Sequence, residues 1–288
     1  MTDHLDYDLD DTGKIILDDV YDNPDPRPYF NALGKLDYVI PGVARPVFSR
    51  VIDAMRHVRE RFDIKALDVG CSYGINAATL KYGLSMDELY ARYGSQAVDD
   101  LARDELVASD REFYAGHVGD PALKVAGLDV AAQAVEYALD AEILDGGIVA
   151  NLETVDLKPK AAARVATADI ILSTGCIGYA RERTVEQLAA ASEDNRPWMA
   201  HFVLRMFPFE NFADLLASYG YVTESVDRTF LQRRFASDEE RGQVLDNLAA
   251  LGRDPTGMEA DGWYHAEFFL SRPAREAEAL PIGRILAS

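Results

Sequence analysis

The segment Ala66-Leu-Asp-Val-Gly-Cys-Ser-Tyr-Gly-Ile-Asn-Ala77 concentrates the residue types that do chemistry. An apolar run carries Asp68, Gly70 and Gly74 follow, and a helical pattern starts at once. Glycines let a backbone turn tightly and approach a ligand closely. The Asp68 carboxylate there accepts a bond from an ammonium or an ordered water. A second acid, Asp129, ends the next apolar run, where an acid in a doubly wound nucleoside site accepts ribose hydroxyls. The same turn reads as G-x-S-x-G, the nucleophile elbow of α/β-hydrolases, with Ser72 as nucleophile and His265 late in the chain. Three features weigh against a hydrolase. Too little chain precedes the elbow, no His-Gly-Gly oxyanion segment lies upstream, and Asp68 is awkward in a buried hydrolase strand. G-x-G-x-x-G is absent from the turn, which disfavours hydride transfer.

Other candidates lie further on. Ser173-Thr-Gly-Cys-Ile-Gly-Tyr179 follows a fourth apolar run. Arg205 sits near the end of a fifth, where a guanidinium can clamp a carboxylate. Tyr29, Phe30, Tyr38, Tyr73, Tyr90 and Tyr93 offer aromatic faces that hold a cation. Tyr90 and Tyr93 are three apart and share a helix face. His201 and His265 read as structural. Cys71 and Cys176 cannot make a disulfide framework, although a single bond between them is conceivable if their strands adjoin. The five histidines show no i, i+4 pairing, so no protein-bound metal is expected.

These residues need strands and helices to place them. Strand patterns span 65–69, 124–129, 147–151, 169–173, 198–205, 221–228 and 263–271. Helical patterns lie between them, at 75–82, 131–144, 184–191, 209–219 and 238–252. Alternation with near-continuous apolar strands predicts an α/β fold: a seven-stranded, mostly parallel doubly wound sheet closed by a late antiparallel edge hairpin. An N-terminal extension and a helical insertion add a cap. Residues 1–25, with nine Asp and one Lys, form an acidic arm expected to be flexible. Residues 26–62 form the extension. Its stretch 23–30 is stiffened by prolines and excluded from helix interior, and a helix runs from Pro46 to Arg61. Residues 63–272 form the main domain, interrupted at 84–120 by an inserted lid, and 273–288 are a tail.

The 288 residues carry a formal net charge of −20, which repels phosphate backbones and anionic lipids. Nucleic acid and membrane are therefore disfavoured as partners. No apolar run reaches the roughly 18 residues of a membrane span, and the acidic start lacks the pattern of a secretory signal. A cytoplasmic location is expected.

The turn, its flanking strand and helix, and the second acid resemble the class I (Rossmann-like) S-adenosylmethionine-dependent methyltransferase superfamily. The likeness extends over roughly 65–271 and leaves out the extension and the insertion, where substrate choice usually resides. It implies S-adenosyl-L-methionine as cofactor. It places the amino acid part at Asp68, Gly70, Cys71, Ser72, Tyr73, Gly74 and Asn76. The ribose falls to Asp129 and Val130, the adenine to Asn151 and Leu152, and Ser173 borders the cofactor. Ser173, Thr174, Tyr179 and Arg205 become candidates for holding the acceptor, with Tyr29, Phe30, Tyr38, Tyr90 and Tyr93 as substrate and lid residues. One departure is the 55 positions from Gly74 to Asp129, against about 20 in such folds, which the insertion explains. The implied activity is methyl transfer to O, N or C of a small molecule, by in-line positioning without a dedicated base. A same-fold enzyme that cyclises the aminobutyryl chain and releases methylthioadenosine is the alternative. The Ser72 hydrolase ranks lower, and a non-catalytic nucleotide-binding protein lower again. A small-molecule substrate is the expected partner, with a homodimer as a further option.

Overall fold

The computed structural model describes residues 18–287. Seven strands, β1 (Ile64–Val69), β2 (Leu123–Asp129), β3 (Gly146–Val149), β4 (Ile170–Thr174), β5 (Trp198–Leu204), β6 (Tyr221–Arg234) and β7 (Trp263–Pro273), form one sheet. Their order is β3-β2-β1-β4-β5-β7-β6. The first five are parallel, and β7 runs antiparallel between β5 and β6. The order steps outward from β1 in both directions, so β1 and β4 flank the point where a crevice opens beyond the carboxyl ends. The expected seven-stranded doubly wound fold with its antiparallel edge is the observed one.

Helices α1 (Asp18–Tyr21), α2 (Arg27–Gly34) and α3 (Ile40–Arg59) precede the sheet, and α4 (Ile75–Lys81) follows β1. The stretch before β2 folds as α5 (Met86–Tyr93), α6 (Gln96–Asp99) and α7 (Arg103–Ala115). Helices α8 (Ala132–Asp140), α9 (Pro159–Val165), α10 (Glu182–Ala191) and α11 (Glu210–Ser218) make the later crossovers. Helix α12 (Asp238–Ala250) lies inside the β6–β7 connection, and α13 (Ala274–Ala279) and α14 (Ile282–Leu286) close the chain. One core packs α3, α4, α8 and the insertion on one face of the sheet, and a second packs α9, α10 and α11 on the other. Covering both faces is what makes β5 buried at all seven positions, with no polar alternation.

Several boundaries differ from the sequence reading. Pro28 falls in the first turn of α2, where a missing N–H costs nothing, so residues read as non-helical open a helix. Helix α3 starts at Ile40 and carries Pro46 inside it, giving up one bond while Ala44, Val47, Phe48, Val51 and Met55 stay buried. Helix α9 was not expected, β6 runs six residues further than its pattern, and the tail contributes two helices. The last residues of the acidic arm are ordered in α1 and the turn after it, and the rest of the arm lies outside the described residues.

The extension is fastened over the carboxyl ends of the strands. Val39 N–H donates to the Gln232 carbonyl at 2.8 Å, and Arg234 N–H donates to the Leu36 carbonyl at 2.7 Å. The insertion braces it from outside. Phe30 stacks on Tyr93 at 4.5 Å, and the Tyr90 hydroxyl donates to the Tyr38 carbonyl at 2.6 Å. Tyr93 is itself locked by a bond to buried Asp110, which also accepts from Tyr137 and Arg92.

Candidate active site

The turn after β1 is held by the two acids that the sequence singles out. Gly70 and Gly74 take φ of 74° and 77°, and Ser72 between them takes 47°. A non-glycine residue there costs of order 1 kcal/mol or more, so something must hold it. Asp129, at the end of β2, does so: one carboxylate oxygen accepts from Ser72 N–H at 2.7 Å and the other from Ala131 N–H at 3.0 Å. Register explains the reach, because β1 and β2 pair in parallel with Val69 opposite Leu128. Burial raises the Asp129 carboxyl above its usual range, and these backbone donors pull it back in part.

Asp68 is fully buried at the end of β1. One of its oxygens accepts from Asn76 Nδ2 at 3.0 Å, and the other has no partner. Burial pushes this carboxyl up to about 8. Asn76 Nδ2 also donates to Thr174 Oγ1 at 3.1 Å, which fixes the amide and leaves its buried Oδ1 unpartnered. The Ser72 hydroxyl and Gln232 Oε1 are buried without partners too. Unpaired buried polar atoms cost roughly 1–3 kcal/mol each and call for an explanation. Three of the four are carbonyl or carboxylate oxygens, a set that fits a ligand bearing N–H donors or positive charge.

A cavity of about 260 Å³ opens beside the turn. Gly70, Asp129 and Val130 border one side, and Asn151, Glu153, Cys176, Tyr179 and Thr184 the other. Cys176 seals the floor: a Cβ at Gly70 would stand 2.6 Å from that of Cys176. Asn151 Oδ1 accepts from Glu153 N–H at 3.1 Å, and Glu153 in turn accepts from Arg181 and Thr184 N–H. The fully buried Leu152 backs this edge. Above the turn stands an aromatic wall. Tyr29 meets Tyr21, Phe30, Tyr38 and Tyr73 edge-on, with centroids 5.2–6.4 Å apart. The Tyr73 hydroxyl donates to the Asn23 carbonyl at 2.9 Å, tying the end of the acidic arm to the turn itself.

Of the residues read from the sequence, Gly70, Asp129, Val130, Asn151 and Tyr179 line this cavity, with Leu152 behind it. Cys71, Ser72, Tyr73 and Gly74 form the turn beside it, Asp68, Asn76 and Thr174 are joined through the Asn76 amide, and Tyr29 packs on Tyr73 with Phe30 and Tyr38 against it. Cys71 is turned inward: its thiol bonds to the Ser72 carbonyl and packs on Gly127. Four candidate residues have their side chains engaged away from this cavity. The Ser173 hydroxyl is fully buried and bonded to His201 Nδ1 at 2.9 Å, so it faces the strand interior. Burial lowers that imidazole to about 3, which keeps it neutral. Arg205 is spent on Glu259 at 2.5 Å and on the Asp254 carbonyl, and does not enter the cleft. Tyr90 and Tyr93 support the extension from behind. A hydrolase triad is not assembled either, because His265 bonds to Thr229 and the Ser72 hydroxyl has no partner.

Sequence reasoning missed Tyr21, Gln232 and the Arg233–Glu240 ion pair. Gln232 covers Gly175 at the end of β4, and both Arg233 and Glu240 are almost fully buried. Tyr21 lies within electrostatic reach of Asp129, Arg233 and Glu240. Nothing in local spacing marks them, since they meet only when the tip of β6 curls over the site. Among the described residues, no cluster of three metal-ligating side chains occurs and no helix is long and apolar enough to cross a membrane.

No family model matches the chain, and no curated protein matches it. Among solved structures it is similar to a precorrin-6y C5,15-methyltransferase from Geobacter metallireducens, with 10% identity over 78% of this chain and 86% of that one at a TM-score of 0.37. A SAM-dependent methyltransferase from Aquifex aeolicus gives 12% identity over 86% and 98%, at 0.39. The plantazolicin methyltransferase BamL, in a complex with a triazolic desmethylPZN analog and SAH, gives 13% identity over 80% and 85%, also at 0.39.

Proposed function

We propose that this chain, which has the sheet order and edge hairpin of the class I (Rossmann-like) methyltransferase fold, binds S-adenosylmethionine and transfers its methyl group to a small-molecule acceptor. The observation that carries the reading is the turn itself. A glycine-built bend between β1 and α4 is fixed by Asp129, with unpartnered acceptors at Asp68, Asn76 and Ser72 beside it. Asp129 holds the ribose hydroxyls, with Val130 beside it, and Asn151 and Leu152 border the base. Asp68, Asn76 and the hydroxyl of Ser72 hold the ammonium end. The group supplies, when bound, an electrophilic methyl on a sulfonium sulfur.

The chain's own residues do the rest. Tyr29, Tyr38 and Tyr73 present aromatic surface over the turn and exclude water. Thr174, at the tip of β4, and Tyr179, on the wall, orient the acceptor. Catalysis then rests on proximity and in-line alignment, because His201 is buried against Ser173 and burial lowers it to about 3, too weak a base to serve. The extension and the insertion act together as the cap, and the enzyme works in the cytoplasm.

One observation favours a second reading. Asp68 has a buried oxygen with no partner, next to where the amino end of the cofactor sits. That oxygen is placed to take a proton from the amine. The nitrogen would then attack the γ-carbon of its own chain, breaking the carbon–sulfur bond and releasing methylthioadenosine. Incubation of the pure protein with S-adenosylmethionine, with and without cell extract, separates the two by mass spectrometry. Adenosylhomocysteine formed only with an acceptor supports methyl transfer. Methylthioadenosine from the cofactor alone supports cyclisation, and an untouched cofactor overturns both.

A further inference from the structure

A second cavity, of about 450 Å³, lies at the opposite end of the sheet, against the amino ends of β1 and β2. Along β1 its lining runs from Lys65 to Leu67, whereas that of the cofactor cleft begins at Val69. Its charge runs against that of the chain. Lys65, Lys124, Lys160 and Arg164 line it, with Asp145 as the one acid, in a protein of net charge −20. Asp145 is already engaged by Lys81 Nζ at 2.8 Å, by Lys124 Nζ at 3.3 Å and by the Val125 N–H. Lys65, Lys160 and Arg164 have no carboxylate partner among the described residues.

Arg164 is the telling member. Its guanidinium is half-buried and has no hydrogen-bond acceptor among the described residues. It occupies the space beside Gly146 that any side chain at that position would fill. A planar fork of five donors held at a cavity wall without an acceptor is arranged for an oxyanion, which it binds two-pronged. Lys160 is one helical turn before Arg164 on α9 and shares its face. The floor between them is apolar, formed by Ala66, Leu67, Ala126 and Ala168.

We propose that this cleft is a binding site for an organic diphosphate, with its phosphates on Arg164, Lys160 and Lys65 and its apolar body on the alanine floor. The site is independent of the cofactor cleft and of the reaction proposed there. Calorimetric titration of the full-length protein with UDP, in the presence of saturating adenosylhomocysteine, tests it. The expected result is one saturable site, weakened at least about tenfold in the Lys160→Ala/Arg164→Ala double variant, with no binding of uridine. An unchanged melting temperature and unchanged adenosylhomocysteine affinity would show that the variant is folded. Failure of UDP to saturate at millimolar concentration, equal binding by the variant, or equal binding of uridine would overturn the proposal. Arg164→Lys keeps the charge but loses the fork, and retains intermediate affinity if the phosphate is held two-pronged.

Discussion

Replacing Asp129 with alanine separates the observed role of this carboxylate, as a staple of the turn, from its proposed one, as the holder of the ribose. In the protein alone, both oxygens hold backbone N–H groups, of Ser72 and Ala131. Each bond to a charged acceptor is worth about 1.5–3 kcal/mol. Against that stands the burial that raises this carboxyl, a penalty that the alanine variant escapes. The two nearly offset, so the expected cost to folding is below about 3 kcal/mol. The ribose hydroxyls meet no such offset. Losing a charged acceptor for them costs the same 1.5–3 kcal/mol in binding, about 10- to 150-fold in Kd. Calorimetry with adenosylhomocysteine reads the affinity, and thermal denaturation of the same samples reads the stability. An affinity loss of that size in a folded variant is the expected pattern. A variant that melts lower but binds as tightly would refute the assignment and leave Asp129 as a staple of the turn alone.

Three further expectations follow from the same geometry. Asp68 is raised to about 8 when folded, whereas it titrates near 3.8 unfolded, so the folded state keeps a proton that the unfolded chain releases between those values. The ligand-free protein should lose stability as pH rises from about 4 to about 8, and Asp68→Asn should flatten that slope; identical slopes in thermal melts from pH 5 to 7.5 would contradict it. Gly70→Ala places a Cβ 2.6 Å from that of Cys176 at a φ of 74°, and should abolish cofactor binding. Adding Cys176→Gly relieves the contact but not the backbone strain, so binding measured by calorimetry should return only in part. Arg205→Met leaves Glu259 buried and unpaired, which should cost about 3–5 kcal/mol in denaturant unfolding with no change in cofactor affinity. A loss of affinity without a loss of stability would return Arg205 to the cleft.

What the sequence made legible was local or periodic. Asp68, Gly70 and Gly74 fall within seven residues, and strand alternation carried the sheet to its last hairpin. Asp129 was readable despite the insertion because it ends a strand. Ser173 and Arg205 misled because a polar residue near a strand end looks available until its partner is known. His201 is 28 residues from Ser173, and Glu259 is 54 from Arg205. Pro28 and Pro46 hid two helix segments because a proline breaks a pattern more surely than it breaks a helix whose other face is buried. Gln232 and Arg233 were invisible for a different reason: their place over the site depends on a β6 tip that pairs with residues 36–39, nearly two hundred positions earlier. The cation-lined cleft on α9 escaped because that helix itself was not foreseen.

The proposed function requires the adenosine part of the cofactor to lie in the cleft between Asp129 and Asn151. A crystal structure of the full chain grown with adenosylhomocysteine tests this most directly. The predicted result is ribose hydroxyls on the Asp129 carboxylate, the base between Val130 and Leu152, and the ammonium end on Asp68 and Asn76. Density for the ligand anywhere else, or none in crystals grown at saturating ligand, would contradict it.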